Sequence, residues 1–414
     1  MTGGPRMTLI TDMSLPVLPV DDPAFHKDPM PFVEAARLQH PWLAKFSSGY
    51  VVHGYQALKD LAFMDEKLEM GLDGIVEFYQ AQGTPWAAFM NGMLNSTTGA
   101  DHKRLRASIA SAFTPRAANL VRPLMRTVIS ELLDEWIPKG EFDFADFASY
   151  FPVTVLCGVM GVSSEPIPRI RSAIESHMGL FTLERARIGE FKAAYDVLWK
   201  FADDLVLERE KRNGSGNDST DEHGLLDTLI AAKNAGSMSE TEVRYMLLVL
   251  LIGGYDTSKN MLTLTVHMLL QYPDYWARCA EDMAFCSKVI EEMLRHTNIA
   301  TTFRNVKEEF EYEGHLFPKS ALVTFATPLA NRDPNVFPDP MRFDPERVYT
   351  NDNRHIAFGR GVHICPGQFL ARTQLQEGLH LIAQRIPHPR LVGEIAWRPF
   401  LGAWGLSTLP LAVG

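Results

Sequence analysis

Apolar residues recur with helical spacing along most of this chain, and one stretch stands apart. From Ser239 to Pro273 it reads SETEVRYMLLVLLIGGYDTSKNMLTLTVHMLLQYP. That stretch is apolar nearly all round, the mark of a buried helix. Ser239 and Glu242 supply a capping box at its start, and Pro273 bars its continuation. The pattern predicts one helix over residues 240–272, about 50 Å long. Asp256 and Lys259 interrupt the run, which excludes a membrane span.

Elsewhere the same spacing predicts a helix over 101–113, stopped by Thr114-Pro115, and two or three helices within 165–210. Strand-like alternation is confined to 49–55, 309–317 and 320–326. The fold class is mainly α with small β-sheets. The polar, Gly/Ser-rich run KRNGSGNDSTDEHG (211–224) reads as a mobile surface loop.

The long helix contains a feature that packing does not require. Gly253 and Gly254 lie in its interior, where each costs about 1 kcal/mol relative to alanine. Asp256 and Thr257 follow at once. In one reading a flat ligand approaches the bare backbone, with a hydroxyl and a proton source beside it. In the other, the glycines let a second helix pack closely and Asp256 is solvated.

Composition narrows the function. With 414 residues, 46% hydrophobic and 22% charged, the chain is an ordinary globular sequence. Its net charge of -10 gives nucleic-acid binding no global support. The four cysteines, Cys157, Cys279, Cys286 and Cys365, form no CxxC pair, and no signal peptide is evident. A cytoplasmic protein with free thiols is expected. The first residues contain no apolar run long enough to cross a bilayer.

Three motifs remain. EEMLR places Glu292 and Arg295 on one helix face. The meandering segment NRDPNVFPDPMRFDPER (331–347) carries Arg347, which could reach back to Glu292. FGRGVHICPG (358–367) sets Cys365 in a glycine-rich loop, the setting of a metal ligand more than of a core thiol. Taken together these residues resemble the cytochrome P450 family, haem-thiolate monooxygenases of the soluble bacterial type. The resemblance rests on Phe358, Gly359, Gly361, Cys365 and Gly367, on Glu292 with Arg295, on Gly254, Asp256 and Thr257, and on DHKRLRASIASAFTP.

The resemblance implies a single domain over 1–414, with 1–20 as an extended or mobile N-terminal segment, and haem b between the long helix and the cysteine loop. It implies Cys365 as axial iron ligand, with Gly254, Phe358, Gly359 and Gly367 against the cofactor and His102, Arg106, Arg304 and His363 on its propionates. Between Arg295 and Arg304 this chain reads HTNIATTF and lacks the proline usual there. Thr257 would supply a hydroxyl where O2 is reduced, and Asp256 would relay protons from solvent. Glu292, Arg295 and Arg347 would be structural.

The segment 75–96 would be a variable loop over the substrate, with Trp86, Phe89 and Met90 beside Phe181, Ile252, Gly253, Ile299, Ala300 and Thr301. That lining suits a mostly apolar small organic molecule. Arg185 or Arg187 could meet a substrate carboxylate. Electrons would come from a separate [2Fe–2S] ferredoxin or a flavodoxin, docking near Lys103, Arg104, Arg354, Arg360 and Arg372. The alternative is a haem-based ligand- or gas-binding protein on the same fold, for which the acid–alcohol pair has no use. Position 366 is proline, which lacks an N–H to offer the sulfur.

Overall fold

The structure is a computed structural model that describes residues 7–214 and 224–413. Helices dominate. The central helix runs Glu240–Leu269, and Ser239 and Glu242 form the expected capping box. It ends before residue 272 because Tyr272 turns out of the helix, with φ -132 and ψ 69, to cap the next one at Pro273. A residue preceding proline is steered away from helical angles.

Around this axis pack the helix Phe144–Met160 and the helices Ile167–Met178 and Ile188–Gly214. The helix Gln368–Arg385, which leaves the cysteine loop, packs on it as well. One apolar core joins these elements, from Phe89 and Phe151 to Leu251 and Leu379. The loop expected at 211–224 lies largely outside the described residues; 211–214 are the last turn of a helix.

The largest sheet has five strands in the order Leu43–Phe46, Gly49–Val52, Leu322–Ala326, Thr301–Val306 and Leu68–Met70. Gly49–Val52 and Leu322–Ala326 are parallel and the other pairs antiparallel. The strand pattern anticipated two of these strands. Thr301–Val306 was missed because it follows the Glu-x-x-Arg helix without a turn signal. From residue 8 onward the N-terminal segment is docked on the body of the protein. Thr8 and Leu9 pair with His315 and Leu316, and Leu18 and Val20 are buried.

Candidate active site

The cysteine loop is a tight construction. Gly359 and Gly361 hold φ of 72° and 73°, which glycine alone adopts without strain. A Cβ on Gly361 would stand 2.2 Å from the Ala62 carbonyl oxygen. The Cys365 amide donates to Phe358 O at 2.9 Å and closes the loop. Cys365 sits just ahead of the helix Gln368–Arg385, whose unpaired first amides face it. Burial pushes its thiol pKa up; the amides of Gly367 and Gln368 and the charges of Arg106 and Arg372 pull it down. It is deep in the protein and still keeps open surface.

Behind the loop, Glu292 and Arg295 are fully buried. Arg295 donates to the carboxylate from Nε at 2.9 Å and Nη2 at 2.6 Å. It also holds the carbonyls of Asn331, Pro340 and Arg342. Arg347 reaches Glu292 at 3.3 Å and ties down Asp339 O and Arg342 O. Tyr349, which belongs to none of the motifs, donates to Glu292 at 2.5 Å. The meander 331–347 is thus pinned to one buried ion pair.

The two interior glycines of the central helix do different things. A Cβ on Gly254 would lie 3.1 Å from Leu156 Cδ2, so this glycine admits the helix Phe144–Met160. A Cβ on Gly253 would meet nothing within 4 Å, and the residue is exposed in mid-helix. The open face is therefore carried by Gly253, with Ile252 and Thr257 partly open beside it. The Thr257 hydroxyl donates to Gly253 O at 2.7 Å. Asp256 differs from the expectation of a solvent relay. It is fully buried, and Arg398 Nη1 donates to it at 2.5 Å.

Four basic residues, His102, Arg106, Arg304 and His363, converge at the cysteine loop. The His102 and His363 rings are 4.6 Å apart, and burial and the nearby Arg304, His102 and Arg106 push His363 down to about 3. Burial lowers Arg304 to about 10 and lowers His102 and Arg106 as well. Among the described residues none of the four forms an ion pair, and His363 Nε2 is buried with no partner. Uncompensated basic groups gathered at one place are costly unless an anion joins them. A group carrying two carboxylates and a metal that takes a thiolate fits this site. The residues present therefore suit haem.

The lid departs from expectation. Residues 75–96 are mostly two short helices, Leu72–Phe78 and Pro85–Gly92, the second capped by Thr84 ahead of its proline. Trp86, Phe89 and Met90 do not face open space; each is at most 1% exposed. Trp86 Nε1 donates to His177 at 3.2 Å, and Phe89 packs on Tyr195 and Tyr245. Phe181 stacks on Phe303 at 5.8 Å. Ile299 and Thr301 are buried against the C-terminal loop, through Trp404 N to Ile299 O and Thr301 with Gly402. Ala300 and Thr302, which alternate with them, keep open surface, as do Ile252 and Gly253 on the central helix.

Several expected free cations are committed. Arg104 pairs with Glu242 at 2.6 Å and Arg372 with Glu291 at 2.6 Å. Arg187 pairs with Glu190 at 3.1 Å, while Arg185 lies over the Phe78 ring. Lys103 and Arg354 remain exposed. No helix among the described residues is long and apolar enough to cross a membrane.

Comparison with known proteins agrees with this geometry. The cytochrome P450 family model matches residues 179–386. The chain is 33% identical over 404 residues to luteothin monooxygenase of Streptomyces thioluteus, covering 97% of this chain and 96% of that one. It is 33% identical over 318 residues to the 6-deoxyerythronolide B hydroxylase of Saccharopolyspora erythraea, covering 75% of each. Among solved structures, P450BioI in complex with an acyl carrier protein ligated to hexadec-9Z-enoic acid superposes with a TM-score of 0.83 at 25% identity. That match covers 94% of this chain and 100% of the other.

Proposed function

The chain belongs to the cytochrome P450 family and is a haem-thiolate monooxygenase, and from that premise we propose that it oxidises a mostly apolar small organic molecule. Haem b, when bound, supplies the iron at which O2 is reduced and one oxygen atom is transferred. Cys365 would hold that iron, with its sulfur steadied by the amides of Gly367 and Gln368. Arg106 and Arg304 would neutralise the two propionates, with His102 and His363 as hydrogen-bond partners beside them. The observation that carries this reading is the basic cluster, without ion-pair partners among the described residues, beside Cys365.

Thr257 keeps a hydroxyl at the open face, tethered to Gly253 O. Asp256, one residue away, is the acid that restores the protons consumed there. Ile252, Gly253, Ala300 and Thr302 contact the substrate on the cofactor side. Relatives named for luteothin and 6-deoxyerythronolide B support a small organic molecule as substrate. Electrons arrive from a separate ferredoxin or flavodoxin in the cytoplasm, whose acidic face meets Lys103, Arg354 and Arg360.

The test is the absorbance spectrum of reduced protein under carbon monoxide, with NAD(P)H consumption measured through a surrogate ferredoxin. A long-wavelength Soret band, lost in Cys365→Ser, and O2-dependent NAD(P)H oxidation are expected. A short-wavelength band in the wild type would overturn thiolate ligation and favour a ligand-binding protein.

A further inference from the structure

Asp256 leaves one oxygen unaccounted for. Oδ1 accepts from Arg398, but Oδ2 is buried and has no protein partner. One helical turn later Asn260 is fully buried, and neither Oδ1 nor Nδ2 of its carboxamide has a partner. Residues four apart share a helix face, so these polar atoms are neighbours. Buried polar groups are met as a rule, by protein or by water.

The C-terminal loop covers this place. Arg398 N donates to Gly405 O at 2.9 Å, so the loop folds back on itself. A Cβ on Gly405 would stand 2.8 Å from Asn260 Cγ, and only a glycine lets the backbone lie so close. Asp256 and Asn260 are sealed at 0% exposure, while the Arg398 side chain keeps 19%. A carboxylate oxygen and a carboxamide together offer the two or more polar partners that an internal water needs.

We propose that Asn260 is a positioning residue: its carboxamide and Asp256 Oδ2 hold one ordered water, and Arg398 closes this compartment at its solvent end. The inference rests on the proposed roles of Asp256 and Thr257. The Asp256 carboxylate takes a proton from the held water at Oδ2 and hands a proton on toward Thr257, and the water recovers its own from bulk water at the Arg398 side. The carboxylate ends as it began, and nothing is oxidised or reduced in the transfer. The central helix thus stores its proton source on the face turned from solvent, and one arginine far along the chain governs access to it.

The experiment uses holoenzyme with NADPH, a [2Fe–2S] ferredoxin and its reductase, and no added substrate. NADPH oxidation, the fraction of reduced O2 released as hydrogen peroxide and the solvent deuterium isotope effect are compared in wild type, Asn260→Leu and Asp256→Asn. In Asn260→Leu the oxidation rate is expected to fall roughly tenfold, short of the roughly 10²–10⁴-fold of a lost general acid. Peroxide release and the isotope effect rise, and the reduced carbon monoxide spectrum is unchanged. A wild-type crystal structure shows a water on Asp256 Oδ2 and Asn260 that is missing in the variant.

A dry site, or wild-type isotope effect and peroxide release in Asn260→Leu, overturns the inference while Asp256→Asn still alters both. If Asp256→Asn alters neither, the proposed role of Asp256 falls and this inference with it. Asn260→Ala, which adds no bulk beside Gly405, gives the same reading should the leucine variant fail to bind haem.

Discussion

The two walls of the site are built on opposite principles. On the cysteine side, the carboxylate of Glu292 receives Arg295 twice, Arg347, Tyr349 and the Asp344 amide. On the central helix, Asp256 and Asn260 are equally buried and keep atoms that no protein group meets. A satisfied buried network rigidifies what it holds, and a partly satisfied one leaves room for water and movement. The contrast teaches where the fold fixes a ligand and where it leaves chemistry to happen.

The strongest way to break this contrast is Glu292→Gln. It leaves Arg295 as a buried charge without its counter-ion, a loss of about 3–5 kcal/mol. Chemical denaturation of the purified protein is expected to show that drop, with poor haem retention as the meander 331–347 loosens. A change under about 1 kcal/mol, the range of an exposed ion pair, would mean that the cysteine wall is not held as described.

The same contrast explains what was legible in the sequence. The cysteine wall is assembled from short motifs, so Glu292, Arg295, Arg347 and the glycines around Cys365 stood out by spacing. The helix of Gly253 announced itself by periodicity and a capping box. Arg398 did not, because a lone arginine in IAWRPF gives no sign that it meets a carboxylate 142 residues away. Asn260 was readable in principle, as a polar residue one turn from Asp256 on a buried helix. Trp86, Phe89 and Met90 were misplaced because apolar composition marks burial without saying whether a side chain faces a neighbour or a cavity. Thr84-Pro85 is a readable helix start within the segment 75–96.

The lid supplies a middle-sized effect, set by pH. Burial depresses His177 to about 4 from an ordinary value of 6.5. Its neutral ring accepts the Trp86 N–H. The unfolded chain takes up a proton below pH 6.5 that the folded chain refuses until about pH 4. Stability is therefore full above 6.5 and is lost as pH falls through that window, by about 2 kcal/mol at pH 5. His177→Gln keeps an acceptor for Trp86 and cannot titrate. Urea unfolding at pH 7 and pH 5 is expected to show a smaller drop in this variant than in wild type. An equal drop would mean that the lid histidine is not held neutral.

The smallest effect tests the cysteine wall at its single omission. The amides of Gly367 and Gln368 point at the Cys365 sulfur, while Pro366 between them and the cysteine has none to give. Each N–H withdraws electron density from the thiolate, so the proline leaves the sulfur richer than a third donor would. Pro366→Leu restores that donor at a position where the backbone already turns toward the sulfur. The haem reduction potential of the variant is expected to rise, read by redox titration, with the long-wavelength carbon monoxide band retained. Pro366→Ala should match it, since the effect belongs to the backbone N–H and not to the side chain. An unchanged or lowered potential in both would show that the two following amides already saturate the sulfur, and that the omission at 366 serves only the turn into the helix Gln368–Arg385.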